Sequence, residues 1–287
     1  MYHPAPAVKR NYLCNVKTHR FFALAGLLQI PLCSADQPVL LGRVYGGSGA
    51  LQHPLAAGLY LADDDGAIRL PQHKIQLSHA GMIVMRQQLR ALLPDAGPRS
   101  QILVAGLGNR AMTPDAIGPA AVENLLVTRH MVRALPRQFA GFTSVAALAP
   151  GVLAATGMET LELLRGAVQA TGSAAVIAID ALAARSRDRL CATVQLGDTG
   201  LIPGSGVGNH RKAINAETLG VPVVAVGVPT VIAASLLGEG TEDDDPLFLT
   251  PRDIDEKVRE LGRLIGYGIT LALQEGLTVE DVTGLLG

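Results

Sequence analysis

Two aspartates, Asp115 and Asp180, are the residues of this sequence best suited to chemistry. Asp115 lies in the loop after one apolar strand, and Asp180 ends a second apolar run, Ala174–Asp180. Since ligands of open α/β sheets bind outside the carboxyl ends of the strands, we expect both carboxyl groups at that edge. Two neighbouring carboxylates cannot both ionise easily, so they share a proton. Such a pair can activate water and protonate a leaving amine, as peptide-bond hydrolysis requires. Either aspartate alone could simply cap a helix or turn, so it is their joint placement that favours catalysis.

A glycine-rich loop, Asp198–Lys212, is the second candidate part of the site. Its glycines bring the backbone close to a neighbouring molecule or strand, and Arg211 and Lys212 make phosphate a conceivable ligand. The loop is neither a Walker loop nor a dinucleotide fingerprint, so we interpret it as one wall of a substrate cleft. Candidates for lining the cleft and stabilising an oxyanion are Asn109, Gly204, Ser205, Gly206, Gly208 and Asn209.

A metal ion would need a third ligand besides the two aspartates. His210 in the glycine-rich loop could reach the site, whereas His130 falls within a predicted helix. A lone histidine among basic neighbours is typical of a solvated residue, so we predict no metal and no cofactor. The three scattered cysteines indicate reduced thiols rather than a disulfide framework. No serine or cysteine has a paired histidine at a recognisable spacing.

Strands that alternate with helices from residue 101 onward must position these residues, and they predict an α/β fold with a mostly parallel sheet. The predicted strands are Ile102–Leu107, Thr143–Leu148, Ala174–Ile179, Ala192–Leu196 and Val221–Val226. The predicted helices are Pro119–Val132, a helix from a capping box at Thr156–Glu159 to Gln169, a helix from near Pro229, a long helix capped by Thr250–Asp253, and a last helix from Thr278.

The first hundred residues form a less regular segment. We predict a hairpin turn at Asp63–Gly66 and a helix over His79–Leu93, with accessory strands and a possible pro-region. The predicted organisation is therefore a small N-terminal α+β segment, residues 1–100, followed by a catalytic domain, residues 101–287.

Composition excludes several classes of protein. The chain has 287 residues, 48% hydrophobic and 17% charged, with a net charge of −1. A core is readily formed, and no strong field attracts nucleic acid or anionic membranes. No apolar run is long enough for a membrane span. The run Phe21–Cys33 behind basic residues leaves a secretory signal open beside the preferred interpretation, a buried N-terminal segment.

Several runs in order resemble the spore germination protease family. They are GLGNRAMTPDAIGPAAVENLLVTRH, APGVLAATGMET, VIAIDALAARS, DTGLIPGSGVGNHRKA, TLGVPVVAVGVPTV and FLTPRDIDEKV. The resemblance covers about residues 101–235 and 247–274. The family's two catalytic aspartates match Asp115 in TPDAIGP and Asp180 in AIDALAARS.

The resemblance implies a three-layer α/β/α fold akin to that of hydrogenase maturation proteases. It also implies an aspartic-type endopeptidase, made as a zymogen, that degrades small acid-soluble spore proteins. The expected assembly is a homotetramer in the cytoplasm of the spore, the spore core or forespore, with neither nucleic acid nor membrane as a partner.

The sequence departs from the family pattern at several places. Ala233 replaces an acidic residue, Ile202 replaces a histidine, and His19 stands at an aspartate of the processing segment. The connection after Leu237 is also shorter than is typical. The replacements at Ala233 and Ile202 leave open a catalytically silent relative that binds spore proteins. The likeness to hydrogenase maturation proteases leaves open a nickel-dependent protease, with metal on Asp115, Asp180 and His210.

Overall fold

The structure is a computed structural model, and it describes residues 28–31, 38–39, 55–57, 61–62, 68–69, 79–94, 100–208, 211–238 and 247–287. The strands are β1 Leu28–Pro31, β2 Pro38–Val39, β3 Leu55–Ala57, β4 Leu61–Ala62, β5 Ile68–Arg69, β6 Gln101–Gly106, β7 Ser144–Leu148, β8 Ala175–Ala184, β9 Thr193–Gly197, β10 Val223–Ala233 and β11 Phe248–Leu249. The helices are α1 His79–Leu92, α2 Ile117–Glu123, α3 Arg129–Ala134, α4 Leu153–Thr156, α5 Thr160–Thr171, α6 Ala216–Leu219, α7 Ile254–Leu273 and α8 Val279–Leu286.

The main sheet has the strand order β1-β9-β10-β8-β6-β7, with β11 paired to β10. Strands β10, β8, β6 and β7 run parallel, whereas β1, β9 and β11 add antiparallel pairings. The parallel strands are the nearly continuous apolar runs of the sequence, as expected for strands buried on both faces. Their carboxyl ends share one edge, which is where the candidate residues were expected.

Helices cover both faces of this sheet. Helices α1, α2, α7 and α8 bury one face, which includes Ile177 and Val226, and helices α5 and α6 bury the other, which includes Val176 and Leu103. Adjacent residues of a strand point to opposite faces, so one strand supplies both cores. The three-layer α/β/α fold with a mostly parallel sheet is therefore confirmed.

The N-terminal segment contributes to the same body. Strand β1 extends the edge of the main sheet, and helix α1 packs against α7. Strands β4 and β5 pair antiparallel, in agreement with the predicted hairpin, although its turn at Asp63–Gly66 lies outside the described residues. Of the run Phe21–Cys33, the described part is strand β1. The division into residues 1–100 and 101–287 stays a prediction.

The predicted helix Pro119–Val132 is wrong, because the chain forms two short helices there. Helix α2 ends at Glu123 and α3 begins at Arg129. Between them, the fully buried Thr128 bonds to the backbone next to β7: its hydroxyl donates to the Thr143 carbonyl at 2.6 Å and accepts from the Val145 N–H at 2.9 Å. This tertiary contact holds the end of α2 apart from the start of α3.

The predicted capping box at Thr156–Glu159 is also misplaced by three residues. Helix α4 ends at Thr156, and Gly157 follows in the left-handed conformation. The capping box of α5 is formed by Glu159 and Glu162, where the Glu159 N–H donates to the Glu162 carboxylate at 3.3 Å. Glutamate reaches the same orphan N–H groups as threonine does, which the sequence pattern did not reveal.

The helix predicted to begin near Pro229 is wrong too, because strand β10 continues to Ala233. The register of β10 with β8 shifts between Pro229 and Val231, which marks a bulge. A bulge tolerates a proline, since no ladder hydrogen bond is needed from its nitrogen. The long helix α7 and the last helix, with Thr278 as its N-cap, are confirmed.

Candidate active site

Asp115 is held by a tight turn after β6. Gly108 has φ +111°, and a Cβ there would lie 2.0 Å from the backbone oxygen of Asp115. Residues Thr113–Asp115 form one turn of 3-10 helix that leads into α2. The backbone N–H of Asn109 donates to Asp115 Oδ2 at 2.8 Å. The turn Gly106–Asn109 therefore fixes the position of this carboxylate.

Asp180 lies within β8 rather than at its end, which corrects the predicted strand boundary. Strand β10 continues to pair with β8 as far as Ala184, and so extends the strand past the aspartate. The side chain is 5% exposed, and Asp180 Oδ1 accepts the backbone N–H of Ala181 at 3.0 Å. Its partner on β10 is Gly227, where a Cβ would lie 2.3 Å from the Leu182 side chain.

The charge of Asp115 affects the titration of Asp180. Burial, and after it the negative charge of Asp115, raise the pKa of Asp180 to about 7, against one N–H hydrogen bond that lowers it. Burial also raises the pKa of Asp115, while the N–H of Asn109 lowers it. The 3-10 turn that ends at Asp115 contacts β8, the strand that carries Asp180, so the two predicted residues lie on neighbouring elements. One protonated and one ionised carboxyl near neutral pH is the state suited to acid–base chemistry.

The glycine-rich loop lies against the strand that carries Asp180. Its short 3-10 turn, Ser205–Val207, is flanked by Gly204 and Gly208 in the left-handed conformation. A Cβ on Gly206 would lie 2.8 Å from the Cβ of Ala183, three residues beyond Asp180. Close approach of backbone to backbone is therefore what this glycine provides. The loop therefore packs next to β8, and its role as a wall of a substrate cleft stays a prediction.

Two contacts fix the ends of this loop. Leu201 and Ile214 exchange backbone hydrogen bonds at 2.9 and 2.8 Å and so close its base. Arg211 lies 3.9 Å from Glu159 at the start of α5. The arginine therefore has an internal partner, which weakens the phosphate interpretation of the basic pair.

Other predicted residues fall in different places. Asn109 is half-buried, and its side-chain oxygen accepts the Ala111 N–H at 3.0 Å, so its –NH₂ group is the donor left for a substrate. Asn209 and His210 lie outside the described residues. Ile202 is 45% exposed in the loop, and Ala233 pairs with Phe248 at the end of β10. Within the described residues, no group of three acidic, histidine or cysteine side chains could hold a metal.

Sequence reasoning missed several residues that support the site. Gly106 and Gly118 face each other: a Cβ on Gly106 would lie 2.2 Å from the Gly118 oxygen. Thr113 bonds to Asp255, which is 142 residues away along the chain. A short G-x-G run with a further glycine ahead of a helix was a usable signal for the first pair. No local sequence pattern indicates the bond between Thr113 and Asp255, because tertiary packing brings these two residues together.

The structure is an α/β protein in which two aspartates lie on neighbouring elements, Asp115 after strand β6 and Asp180 within the parallel strand β8. Comparison with known proteins makes this more specific. The chain belongs to the germination protease family, a family of peptidases, because a model of that family matches residues 47–244.

Individual relatives agree with this assignment. The chain is 42% identical over 231 residues to a germination protease of Geobacillus sp. strain WCH70, with 78% of this chain and 60% of that protein covered. It is 42% identical over 242 residues to the protein of Halalkalibacterium halodurans, covering 80% and 64%. It is 40% identical over 227 residues to the protein of Caldanaerobacter subterraneus subsp. tengcongensis, covering 65% and 70%. The chain thus spans less than two thirds of the length of the first two relatives.

Among solved structures, a NiFe hydrogenase maturation protease from Thermococcus kodakarensis matches with a TM-score of 0.35 and 17% identity, over 63% of this chain and 98% of that one. In the described part of the chain, no helix combines the length and the apolar character needed to cross a bilayer.

Proposed function

We propose that this chain is an endopeptidase that degrades small acid-soluble spore proteins during germination, with Asp115 and Asp180 as its acid–base pair. The observation that carries the proposal is the position of Asp180, which is buried in β8 beside the turn that ends at Asp115. This position raises the pKa of Asp180 to about 7. Membership of the germination protease family supports the reaction class. The substrate, a homotetrameric assembly, activation from a zymogen and action inside the spore are parts of the proposal that rest on the family resemblance.

The mechanism assigns a different proton state to each carboxyl group. Asp115 accepts an N–H hydrogen bond at 2.8 Å and is half-buried, so we assign it the ionised state. It takes a proton from water, whose oxygen attacks the peptide carbonyl carbon. Asp180, more deeply buried, stays protonated and gives its proton to the leaving nitrogen. The proton then returns from Asp115 to Asp180, which restores the starting state.

Hydrogen-bond donors at the cleft stabilise the charge that develops on the carbonyl oxygen. The –NH₂ group of Asn109 and the backbone N–H groups of the glycine-rich loop are the candidates. The wall formed by Gly204, Ser205 and Gly206 is fixed against β8, so donors there need little reorganisation. A preorganised donor is worth about 3 kcal/mol in known oxyanion holes.

The proposal is tested by incubating purified protein with a small acid-soluble spore protein and mapping the cuts by mass spectrometry. Wild type is expected to cut at defined sites, and Asp115→Asn is expected to slow cleavage about 100-fold or more, because the base is lost. Binding without any cleavage by wild type would point to the catalytically silent relative. Equal cleavage by wild type and Asp115→Asn would refute the assigned base.

The rate of cleavage is expected to fall as the pH rises through about 7. Asp180 then loses its proton, so the leaving nitrogen has no acid, and both carboxyl groups are charged. At lower pH the rate falls again once Asp115 is protonated, which gives a bell-shaped profile of kcat. Initial rates in buffers of constant ionic strength measure this profile. A rate that keeps rising to about pH 9 would contradict the role of Asp180 as the acid.

A further inference from the structure

A hydrogen bond joins the turn that carries Asp115 to the start of helix α7. The hydroxyl of Thr113 donates to Asp255 Oδ1 at 2.8 Å. Thr113 opens the 3-10 turn that ends at Asp115, and Asp255 lies in the first turn of α7. The bond therefore reaches the segment of Asp115 from an element 142 residues further along the chain.

Helix α7 is a firm support for this bond. A Cβ on Gly262 would lie 2.7 Å from the Ala120 Cβ, and one on Gly266 would lie 2.4 Å from the Asn124 oxygen. The glycines thus let α7 pack directly on the backbone of α2, and most of α7 is buried. Since α2 follows Asp115 immediately, α7 holds the segment after the aspartate by packing and the segment before it by one hydrogen bond.

We propose that Asp255 is a positioning residue, which fixes the Asp115 carboxyl group through Thr113. The inference rests on the proposed function, because it assigns Asp255 a part in the same reaction. Asp255 itself is exposed and does not touch the reacting atoms. Its hydrogen bond to Thr113 is a second constraint on the turn that carries Asp115. The close packing of Gly108 and the hydrogen bond from Asn109 are the first.

The energetic balance favours an effect on rate over an effect on stability. A hydrogen bond between two partly or fully exposed groups contributes little to folding, since water replaces either partner. A small displacement of a catalytic group costs far more, up to about 100-fold in rate for about 1 Å. Loss of the bond should therefore lower kcat in a protein that remains folded.

The experiment compares variants that remove the bond with variants that keep it. Thr113→Val and Asp255→Ala are each expected to lower kcat on a small acid-soluble spore protein about 10-fold, with KM changed less than about 2-fold. Thr113→Ser retains a hydroxyl and Asp255→Asn retains an acceptor oxygen, so both should restore most of the rate. The double variant should be no slower than either single variant, since they remove one bond.

Glu256→Ala is the matched control for Asp255→Ala. Both acidic residues are exposed in the first turn of α7, so each substitution removes the same favourable interaction with the helix dipole. Only Asp255 bonds to Thr113, so Glu256→Ala should cleave at the wild-type rate. Equal losses in the two alanine variants, or a loss confined to KM, would overturn the positioning role.

A second measurement does not depend on cleavage. Carboxyl carbon NMR of Thr113→Val should show the pKa of Asp180 falling below its wild-type value, because a less constrained Asp115 repels it less. An unchanged Asp180 titration would refute the inference even in an active enzyme. Failure of the wild-type protein to cleave, together with a shifted titration in the variant, would refute the proposed function and leave the anchoring of Asp115 supported.

Discussion

Replacing Asp180 by asparagine is expected to make the protein harder to unfold at about pH 8 and to abolish the proposed cleavage of spore proteins. The carboxyl group ionises near 3.8 when unfolded and at about 7 in the folded chain. Between these values the unfolded chain releases a proton that the folded chain keeps, so wild-type stability falls as pH rises. Asparagine does not titrate, so the Asp180→Asn variant does not lose stability in this way. Above pH 7 its free energy of unfolding should exceed that of wild type by up to about 4 kcal/mol, at about 1.4 kcal/mol per pKa unit.

Urea unfolding of wild type and Asp180→Asn at several pH values measures this difference. The two proteins should converge below about pH 3.8, because the carboxyl group is then protonated in both the folded and the unfolded chain, and should separate most above about pH 7. Cleavage by the variant should fall about 1,000-fold or more over the same range, because the acid is missing. A constant difference at every pH would show that packing rather than charge explains the stability. An active variant would remove Asp180 from the mechanism.

The gain in stability and the loss of activity have one cause. Asp180 lies in a strand with 5% of its surface exposed, where an apolar or neutral residue would be more favourable for folding. Keeping a carboxyl group there raises its pKa into the range where it can donate a proton at neutral pH. The destabilising position is therefore the condition for the proposed acid.

The layers of the fold and the candidate pair of aspartates could be predicted from the sequence for physical reasons that act locally. Runs such as the one around Val176 and Ile177 are apolar at every position, which indicates strands covered on both faces. Burial of a carboxylate after such a run costs desolvation free energy, which favours a functional role for it. This argument identified Asp180 as a candidate. Family resemblance then selected the same two aspartates on independent grounds.

What the sequence could not predict depends on contacts between distant segments. Strand β8 passes Asp180 because β10 pairs with it as far as Ala184, and β10 passes Pro229 because a bulge accommodates the proline. The helix predicted to Val132 is interrupted because the Thr128 hydroxyl bonds to the backbone beside β7. In each case a hydrogen bond or a strand register that forms only in the folded protein overrides the local preference of the sequence.

Replacing Gly118 by alanine is expected to destabilise the protein by about 3 kcal/mol and to slow cleavage with it. A Cβ at this position would lie 2.2 Å from the Leu107 oxygen and 2.4 Å from the Leu107 nitrogen. These are backbone atoms of the turn that aims Asp115, so they cannot rotate away as a flexible side chain would. Relief of the clash must move either α2 or the turn after β6, and both movements displace the carboxyl group.

Gly166→Ala is the control for this substitution. Gly166 is exposed within α5, and a Cβ there meets nothing within 4 Å. The same chemical change should therefore stabilise the protein by about 0.5–1 kcal/mol, as alanine does for glycine within a helix. Urea unfolding of both variants measures the contrast, and cleavage rates at low temperature, where Gly118→Ala is still folded, separate misplacement from unfolding. If Gly118→Ala matched wild type in both measurements, the turn after β6 would have to accommodate the added Cβ without a cost in stability or rate. The position of Asp115 would then depend on the hydrogen bonds of Asn109 and Thr113 rather than on glycine packing.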